Sequence, residues 1–310
     1  MRIVFMGTPR AAVPSLERIT LDGHEVVAVY TRPDRPAGRG NKITASPVKE
    51  AAAAHGVEVL QPTKIKTAEA IDTFRSYAAD VVVVVAYGRI LPETFLNVFT
   101  HGAVNVHFSL LPKYRGAAPV NWAIANGESV TGVTTMKMDA GLDTGPILLQ
   151  KETSIGRSET AIELTERLAA MGADLLSKTL NEIGNIRPSD QEHANASYAP
   201  MLKKSDGLID WNDDADTIAN RVRGFQPFPT VFSYYNEKRL TMWAARESNV
   251  SYFGEKPGTL VDSSGGILRV GCGNGTVLEI SELQPEGRRR MSAQDFINGI
   301  RLPEGIKFGD

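Results

Sequence analysis

Three polar side chains in two short stretches carry the chemistry this sequence can do. Asn105-Val106-His107-Phe108-Ser109-Leu110-Leu111-Pro112 reads as the end of a strand running into a loop. Residues two apart on a strand share a face, so Asn105 and His107 present an amide and an imidazole side by side. Asp139-Ala140-Gly141-Leu142-Asp143-Thr144-Gly145 is a glycine-rich loop between two strand-like runs. An Asp in such a loop often bonds its own backbone, and Asp139 fits that role best. Asp143, carried beyond an adjacent strand, can instead meet His107. Carboxylate, imidazole and amide are a recurring set of orienter, acid/base and oxyanion donor. Taken singly, Asn105 and His107 also read as satisfied polar residues at a strand end, and Asp143 as a turn residue.

No protein nucleophile accompanies the set. Ser109 fits no Ser-His-Asp pattern, and G-x-S-x-G is absent. The trio is therefore suited to attack by a substrate's own nucleophile. Gly7-Thr8-Pro9 is not G-x-G-x-x-G, which argues against a nicotinamide-dependent oxidoreductase. With Cys272 as the one cysteine, neither an intrachain disulfide nor a cysteine-based zinc site can form. Cys272 reads as a small buried hydrophobe, a reducing cytosol fits best, and no metal is expected.

The elements that must position the trio follow from apolar patterning. Arg2–Met6, Glu25–Tyr30, Asp80–Ala86, Ala103–His107, Val130–Met138 and Ile147–Lys151 read as strands, with helices expected between several of them. Thr8-Pro9 and Ser46-Pro47 have the cap-then-proline signature of helix starts. Pro92 starts a short helix, and Thr160–Leu180 has helical spacing. This predicts an α/β fold: a Rossmann-like open sheet with helices on both faces. Residues 1–182 are expected to form that domain, 183–204 a linker rich in Gly, Asn, Pro, Ser and Asp, and 205–310 a second domain. Beyond Ser205 come a helix at Asp213–Arg223, short strands at Val231–Tyr235, Leu240–Ala245, Gly258–Val261, Ile267–Val270 and Thr276–Leu283, and a closing helix at Ser292–Ile300. Short strands at that spacing predict a C-terminal OB-like β-barrel domain. Phe225, Phe228, Phe232, Tyr234 and Tyr235 are expected to pack between its helix and first strands.

The chain has 310 residues and a formal net charge of -2, so contact with a polyanion needs a local basic patch. Arg32-Pro33-Asp34-Arg35-Pro36-Ala37-Gly38-Arg39-Gly40-Asn41-Lys42 is one such patch. It reads either as a solvated loop or as a phosphate-contacting arm. Smaller clusters are Arg221 with Arg223, Lys238 with Arg239, and Arg288-Arg289-Arg290. The apolar start is too short for a signal peptide, and Val81–Ala86 is far below the roughly 20 residues of a membrane span. A cytoplasmic protein without a membrane partner is expected.

These residues resemble the methionyl-tRNA formyltransferases. The likeness covers Val4–Pro9, Arg32–Gly40, Ala86-Tyr87-Gly88-Arg89-Ile90-Leu91-Pro92, Asn105–Pro112, Arg115-Gly116-Ala117-Ala118-Pro119, Met138–Gly145, Ile209-Asp210-Trp211, Pro257-Gly258-Thr259 and Met291–Asp295. Asn105-x-His107 with Asp143-x-Gly145 is shared by the wider group of transferases that use 10-formyltetrahydrofolate; the basic loop and second domain point to the tRNA enzymes within it. The resemblance implies Asn105, His107 and Asp143 as the catalytic trio. It implies Ser109, Leu110, Leu111 and Pro112 as the folate-contacting segment, with Ile90 and Leu91 as an apolar wall near the pterin. It also implies Arg32, Arg35, Arg39 and Lys42 as the tRNA-contacting arm, with Arg39 the main contact. Co-substrate and partner would be 10-formyltetrahydrofolate and initiator methionyl-tRNA, acting on a monomer. Phe108 departs from the smaller residue common in relatives and should pack behind the strand, away from Asn105 and His107. The alternatives are a small nucleotide or amino-sugar acceptor, hydrolysis of the same folate, and a non-catalytic nucleic-acid binder, which would have no use for the trio.

Overall fold

The computed structural model describes residues 1–37, 42–253, 256–300, 302 and 306–309. Two compact units are formed: Met1–Pro119 with Val130–Ser154 and Thr165–Ala199, and Val120–Ser129 with Ile155–Leu164 and Pro200–Asp310.

The first unit opens with β1 (Arg2–Gly7), α1 (Val13–Leu21) and β2 (Glu25–Tyr30). The hairpin β3 (Arg35–Ala37) and β4 (Lys42–Thr44) follows, then α2 (Pro47–Ala54), β5 (Val59–Leu60), α3 (Ala68–Ser76) and β6 (Val81–Val85). Next come α4 (Glu93–Leu96), β7 (Ala103–His107) and β8 (Arg115–Gly116). Beyond Pro119, α5 (Pro119–Ala125) belongs to the second unit. The first resumes with β9 (Val130–Lys137), β10 (Ile147–Ser154), α6 (Ala161–Glu182) from Thr165 onward, and β11 (Tyr198–Ala199). The main sheet has the order β10-β9-β7-β6-β1-β2-β5. Strands β5, β2, β1, β6 and β7 are parallel, whereas β9 is antiparallel to β7 and β10 to β9. The fold is Rossmann-like with a mixed sheet. All five valines of β6 are buried, as expected for a parallel strand covered on both faces.

Local chemistry explains the helix starts. Ser46 caps α2 by accepting from the Lys49 amide at 3.1 Å. Thr8 does not cap a helix. Its hydroxyl donates to the Tyr87 carbonyl at 3.1 Å, and α1 starts later, with Pro14 in its first turn. That bond spans β1 and β6, where the strand order reverses, the place where open α/β sheets hold ligands.

The stretch 183–199 is built into this unit. Ser189 pairs with Ile147, the start of β10, and β11 pairs with β8. Its polar composition reads as a linker because its bonds go to distant partners that sequence does not reveal.

The second unit contains α7 (Ala215–Gly224), β12 (Val231–Tyr235), β13 (Lys238–Glu247), β14 (Leu260–Asp262), β15 (Leu268–Gly271), β16 (Val277–Pro285), β17 (Met291–Ser292) and α8 (Ala293–Gly299). Its sheet order is β12-β13-β16-β15-β14, with β17 on β16. The unit is β-rich, and among the described residues no pairing joins β12 to β14. Its core gathers Trp211, Ile218, Phe225, Met242, Leu278, Phe296 and Phe308. Phe225 packs edge-to-face on Trp122 at 5.3 Å, and Phe232 is buried, but Phe228 and Tyr234 are exposed. Cys272 is buried, and burial pushes its thiol up to about 12.

Candidate active site

Asn105 and His107 lie on one face of β7, opposite Met136 and Thr134 of β9. The other face carries Val106 and then Phe108, both against Gly172 of α6. A Cβ at Gly172 would lie 2.9 Å from Val106 and 3.3 Å from Phe108. The bulk of Phe108 is thus taken up by a glycine behind the strand, away from Asn105 and His107.

His107 is buried and its Nε2 lies 2.9 Å from the Tyr114 carbonyl. A carbonyl only accepts, so Nε2 carries the hydrogen and Nδ1 faces the other way. There it meets Asp143 Oδ2 at 3.7 Å. The strand neighbouring β7 does lead to Asp143, but by an indirect route. Because β9 is antiparallel, its last residue, Lys137, pairs with Val104 at the start of β7. The loop to β10 must return along the face to bring Asp143 to His107.

Several bonds hold Asp143 there. Its Oδ2 accepts from the Gly116 amide at 2.8 Å. Its backbone has φ +52°, in the left-handed region that Asp tolerates better than most residues. Asp139, by contrast, is a turn residue: its carboxylate accepts from the Gly141 amide and the Thr144 hydroxyl. Gly116 has φ +122°, and a Cβ there would sit 2.6 Å from the Ala199 carbonyl oxygen. Only glycine lets the donor of Asp143 approach β11 so closely.

The Asn105 carboxamide oxygen is buried without a hydrogen-bond partner among the described residues. An unsatisfied buried acceptor costs about 1–3 kcal/mol. The cost is relieved when an incoming N–H or O–H donates to it.

The segment after β7 is pinned down. The Ser109 hydroxyl donates to the Lys113 carbonyl at 2.6 Å. Thr134 Oγ1 donates to the Ser109 carbonyl at 2.7 Å and accepts from the Leu111 amide at 3.1 Å. Gln150 donates to the Leu111 carbonyl at 2.8 Å. Ser109 and Leu111 are buried, while Leu110 and Pro112 are partly exposed. Leu91 is buried in the core, whereas Ile90 is 80% exposed.

Around the basic arm, Arg32 Nη1 donates to the Gly88 carbonyl at 3.1 Å. Asp34 is bound by Lys49 at 2.6 Å and Gln61 at 2.7 Å, bonds that hold its carboxyl below the usual range. Arg35 is exposed on β3. Arg39 and the side chain of Lys42 lie outside the described residues. The residues that sequence reading missed are the Tyr114 carbonyl, the Gly116 amide and Gln191. The first two are backbone groups, which leave no signal in residue type.

Among the described residues no group of three or more His, Cys, Asp or Glu could hold a metal ion, and no helix is long and apolar enough to cross a membrane.

A family model described as formyl transferase matches residues 1–180, and one described as formyl transferase, C-terminal domain, matches residues 201–301. The chain is 47% identical over 311 residues to a Geobacter metallireducens protein named methionyl-tRNA formyltransferase, covering 100% of this chain and 99% of that one. A Solibacter usitatus protein of the same name is 49% identical over 312 residues, with 100% and 99% covered. Among solved structures, an N-formyltransferase from Helicobacter canadensis in complex with folinic acid and dTDP-3-aminofucose has a TM-score of 0.65 at 20% identity, covering 90% of this chain and 98% of that one. HypX from Aquifex aeolicus in complex with tetrahydrofolic acid has a TM-score of 0.61 at 16% identity, covering 100% and 50%. At such identities these two structures share the fold alone.

Proposed function

The chain belongs to the formyl transferase family, matching the models of both its domains, and from that premise we infer its reaction. It transfers a formyl group from 10-formyltetrahydrofolate to the free α-amine of initiator methionyl-tRNA, giving N-formylmethionyl-tRNA for translation initiation. The carrying observation is the Asn105, His107 and Asp143 geometry, set in a chain that matches methionyl-tRNA formyltransferases end to end.

The amine must attack in its neutral form. A free α-amine titrates at about 7.7–8.0, and esterification of the adjacent carboxyl lowers that value. Attack on the formyl carbon puts negative charge on the formyl oxygen. Since Nε2 of His107 is committed to Tyr114, the ring acts through Nδ1. It takes the proton shed by the amine, and the Asp143 carboxylate at 3.7 Å stabilises the imidazolium. The new Nδ1–H donates to the oxyanion and then supplies the proton to N10 as the carbon–N10 bond breaks. Asn105 accepts an N–H of the amine on its unpartnered oxygen and donates to the oxyanion through its NH2 group. Losing one such donor typically costs about 2.7–4 kcal/mol.

The folate would lie along Ser109–Pro112. Because the Ser109 and Leu111 side chains are spent inside the protein, contact there falls to the backbone and to Leu110 and Pro112. Exposed Ile90 offers the apolar wall, with Leu91 supporting it from the core. The tRNA acceptor end would meet Arg35, Arg39 and Lys42; Arg32 contributes less, being bonded to Gly88. The β-rich second unit is read as an OB-like barrel that adds tRNA contacts, and the protein as a cytoplasmic monomer. One assay tests the reading: purified protein, 10-formyltetrahydrofolate, and initiator or elongator methionyl-tRNA. Formylation selective for the initiator is expected. Formate release without acceptor, or transfer only to an amino-sugar nucleotide, would overturn it.

A further inference from the structure

We infer that Gln191 is a positioning residue for Asp143; this rests on the catalytic reading of Asp143 given above. Gln191 lies on the polar stretch between α6 and β11, yet it is only 5% exposed. Its Nε2 donates to the Asp143 carbonyl at 2.9 Å and to the Gly145 carbonyl at 2.7 Å. Its Oε1 accepts from Arg115 Nε at 3.0 Å and Nη2 at 2.6 Å. Both amide hydrogens and both oxygen lone pairs are therefore used. The partners also fix the amide's orientation. Turned over, it would set its NH2 against guanidinium donors and its oxygen against two carbonyls.

The bonds converge on one task. Arg115 is itself buried, and its Nη1 lies 3.2 Å from His193 Nδ1. Its chain neighbour Gly116 gives the amide that holds Asp143 Oδ2. Gln191 thus ties the backbone of Asp143 to the segment that binds its carboxylate. Asp143 sits in a left-handed conformation that an unrestrained loop would leave. Leaving it would move the carboxylate relative to His107. The segment that supplies Gln191 is anchored on both sides, by the Ser189 pairing with Ile147 and by the Arg115 amide donating to the Ser197 carbonyl at 2.8 Å.

The test uses the full chain. Gln191→Glu keeps an oxygen for Arg115 but sets a second oxygen against the two carbonyls. Its kcat should fall about 10- to 100-fold, the scale of a misplaced catalytic group, with KM for both substrates changed less than about threefold. In an Asp143→Asn background the same substitution should cost less than about threefold, because its effect passes through Asp143. Equal losses in both backgrounds, or wild-type kcat in the single variant, would overturn the inference. If Asp143→Asn alone retains wild-type turnover, the catalytic reading falls and takes this one with it. The wild-type protein gives a measurement independent of variant folding. The Gln191 side-chain NH2 should be protected from hydrogen exchange, and exchange at the rate of an exposed amide would also overturn the proposal.

Discussion

Two clusters centred on a buried ionisable side chain, His107 in one unit and Glu279 in the other, are built in opposite ways. In the first unit His107 and Asp143 are 3.7 Å apart, and the Asn105 oxygen has no partner among the described residues. In the second unit Glu279 is held by Arg246 at 2.8 Å, Arg269 at 2.9 Å and Ser248 at 3.1 Å. Arg246 on β13 and Arg269 on β15 both face Glu279 of β16 across the sheet. The cluster around Glu279 is closed, since its charges satisfy one another. The cluster around His107 is open, with polar capacity left for something that arrives. A closed cluster serves the fold, and an open one is stabilised only when occupied.

The largest expected effects fall on the open cluster. His107→Asn and Asp143→Asn should fold and bind folate but lose about 10²- to 10⁴-fold in kcat, the contribution typical of general acid–base catalysis. Single-turnover formylation checks this, and near-wild-type turnover in either variant would remove that residue from the mechanism. Their stability should fall by no more than about 0.5–1.5 kcal/mol, the worth of the single bond each side chain makes, to Tyr114 or from Gly116.

The closed cluster should show the reverse pattern. Glu279→Ala should leave kcat within about twofold and cost about 1.5–3 kcal/mol, the worth of a hydrogen bond to a charged group. Burial alone would raise the Glu279 carboxyl, but the bonds from Arg246, Arg269 and Ser248 outweigh it and hold the group below its ordinary value of 4.5. Its contribution to stability is then full above 4.5 and lost as pH falls through the lower folded-state value. Wild-type protein should therefore lose stability below pH 4.5 more steeply than Glu279→Gln. Trp122, Trp211 and Trp243 are the chain's three tryptophans and all lie in the second unit, so their fluorescence follows unfolding of that unit.

The basic arm tests how far the open region extends. For each phosphate that the protein no longer neutralises, the slope of log affinity for tRNA against log salt should fall by about 0.7–0.9. Arg39→Ala and Arg35→Ala should each do so, and Arg32→Ala less, because its guanidinium is already bonded to Gly88. An unchanged slope for Arg39→Ala would remove the arm from tRNA recognition.

How much of this was legible in sequence depended on the kind of partner each residue has. Strand alternation placed Asn105 and His107 on one face and Phe108 on the other, because period-two geometry is local. The Val run of β6 and the Ser46-Pro47 helix start were legible for the same reason. Thr8 misled because its hydroxyl bonds a carbonyl 79 residues away. The antiparallel course of β9 was not legible, so the route of Asp143 back to His107 had to come from the fold. Gln191 read as part of a polar linker, because its bonds reach Arg115, Asp143 and Gly145 through tertiary structure alone. The family likeness marked Arg115 and Gly116 but gave no reason for them; burial and the Asp143 contact supply one.

Ser248→Ala is the finest test of the closed cluster and should have the smallest effect. Ser248 and Arg269 both donate to the same oxygen of Glu279, at 3.1 and 2.9 Å, while Arg246 serves the other oxygen. Removing the hydroxyl leaves each carboxylate oxygen with a charged donor. The loss should be about 0.5–1 kcal/mol, near the lower end for a single hydrogen bond, read by denaturant unfolding followed through tryptophan fluorescence. The acid limb of stability should move slightly toward neutral pH, because one of the bonds that lowers the Glu279 carboxyl is gone. Formylation should be unchanged. A loss of several kcal/mol would mean that the arginines do not satisfy Glu279 by themselves, and the contrast between a redundant closed cluster and an open one would fail.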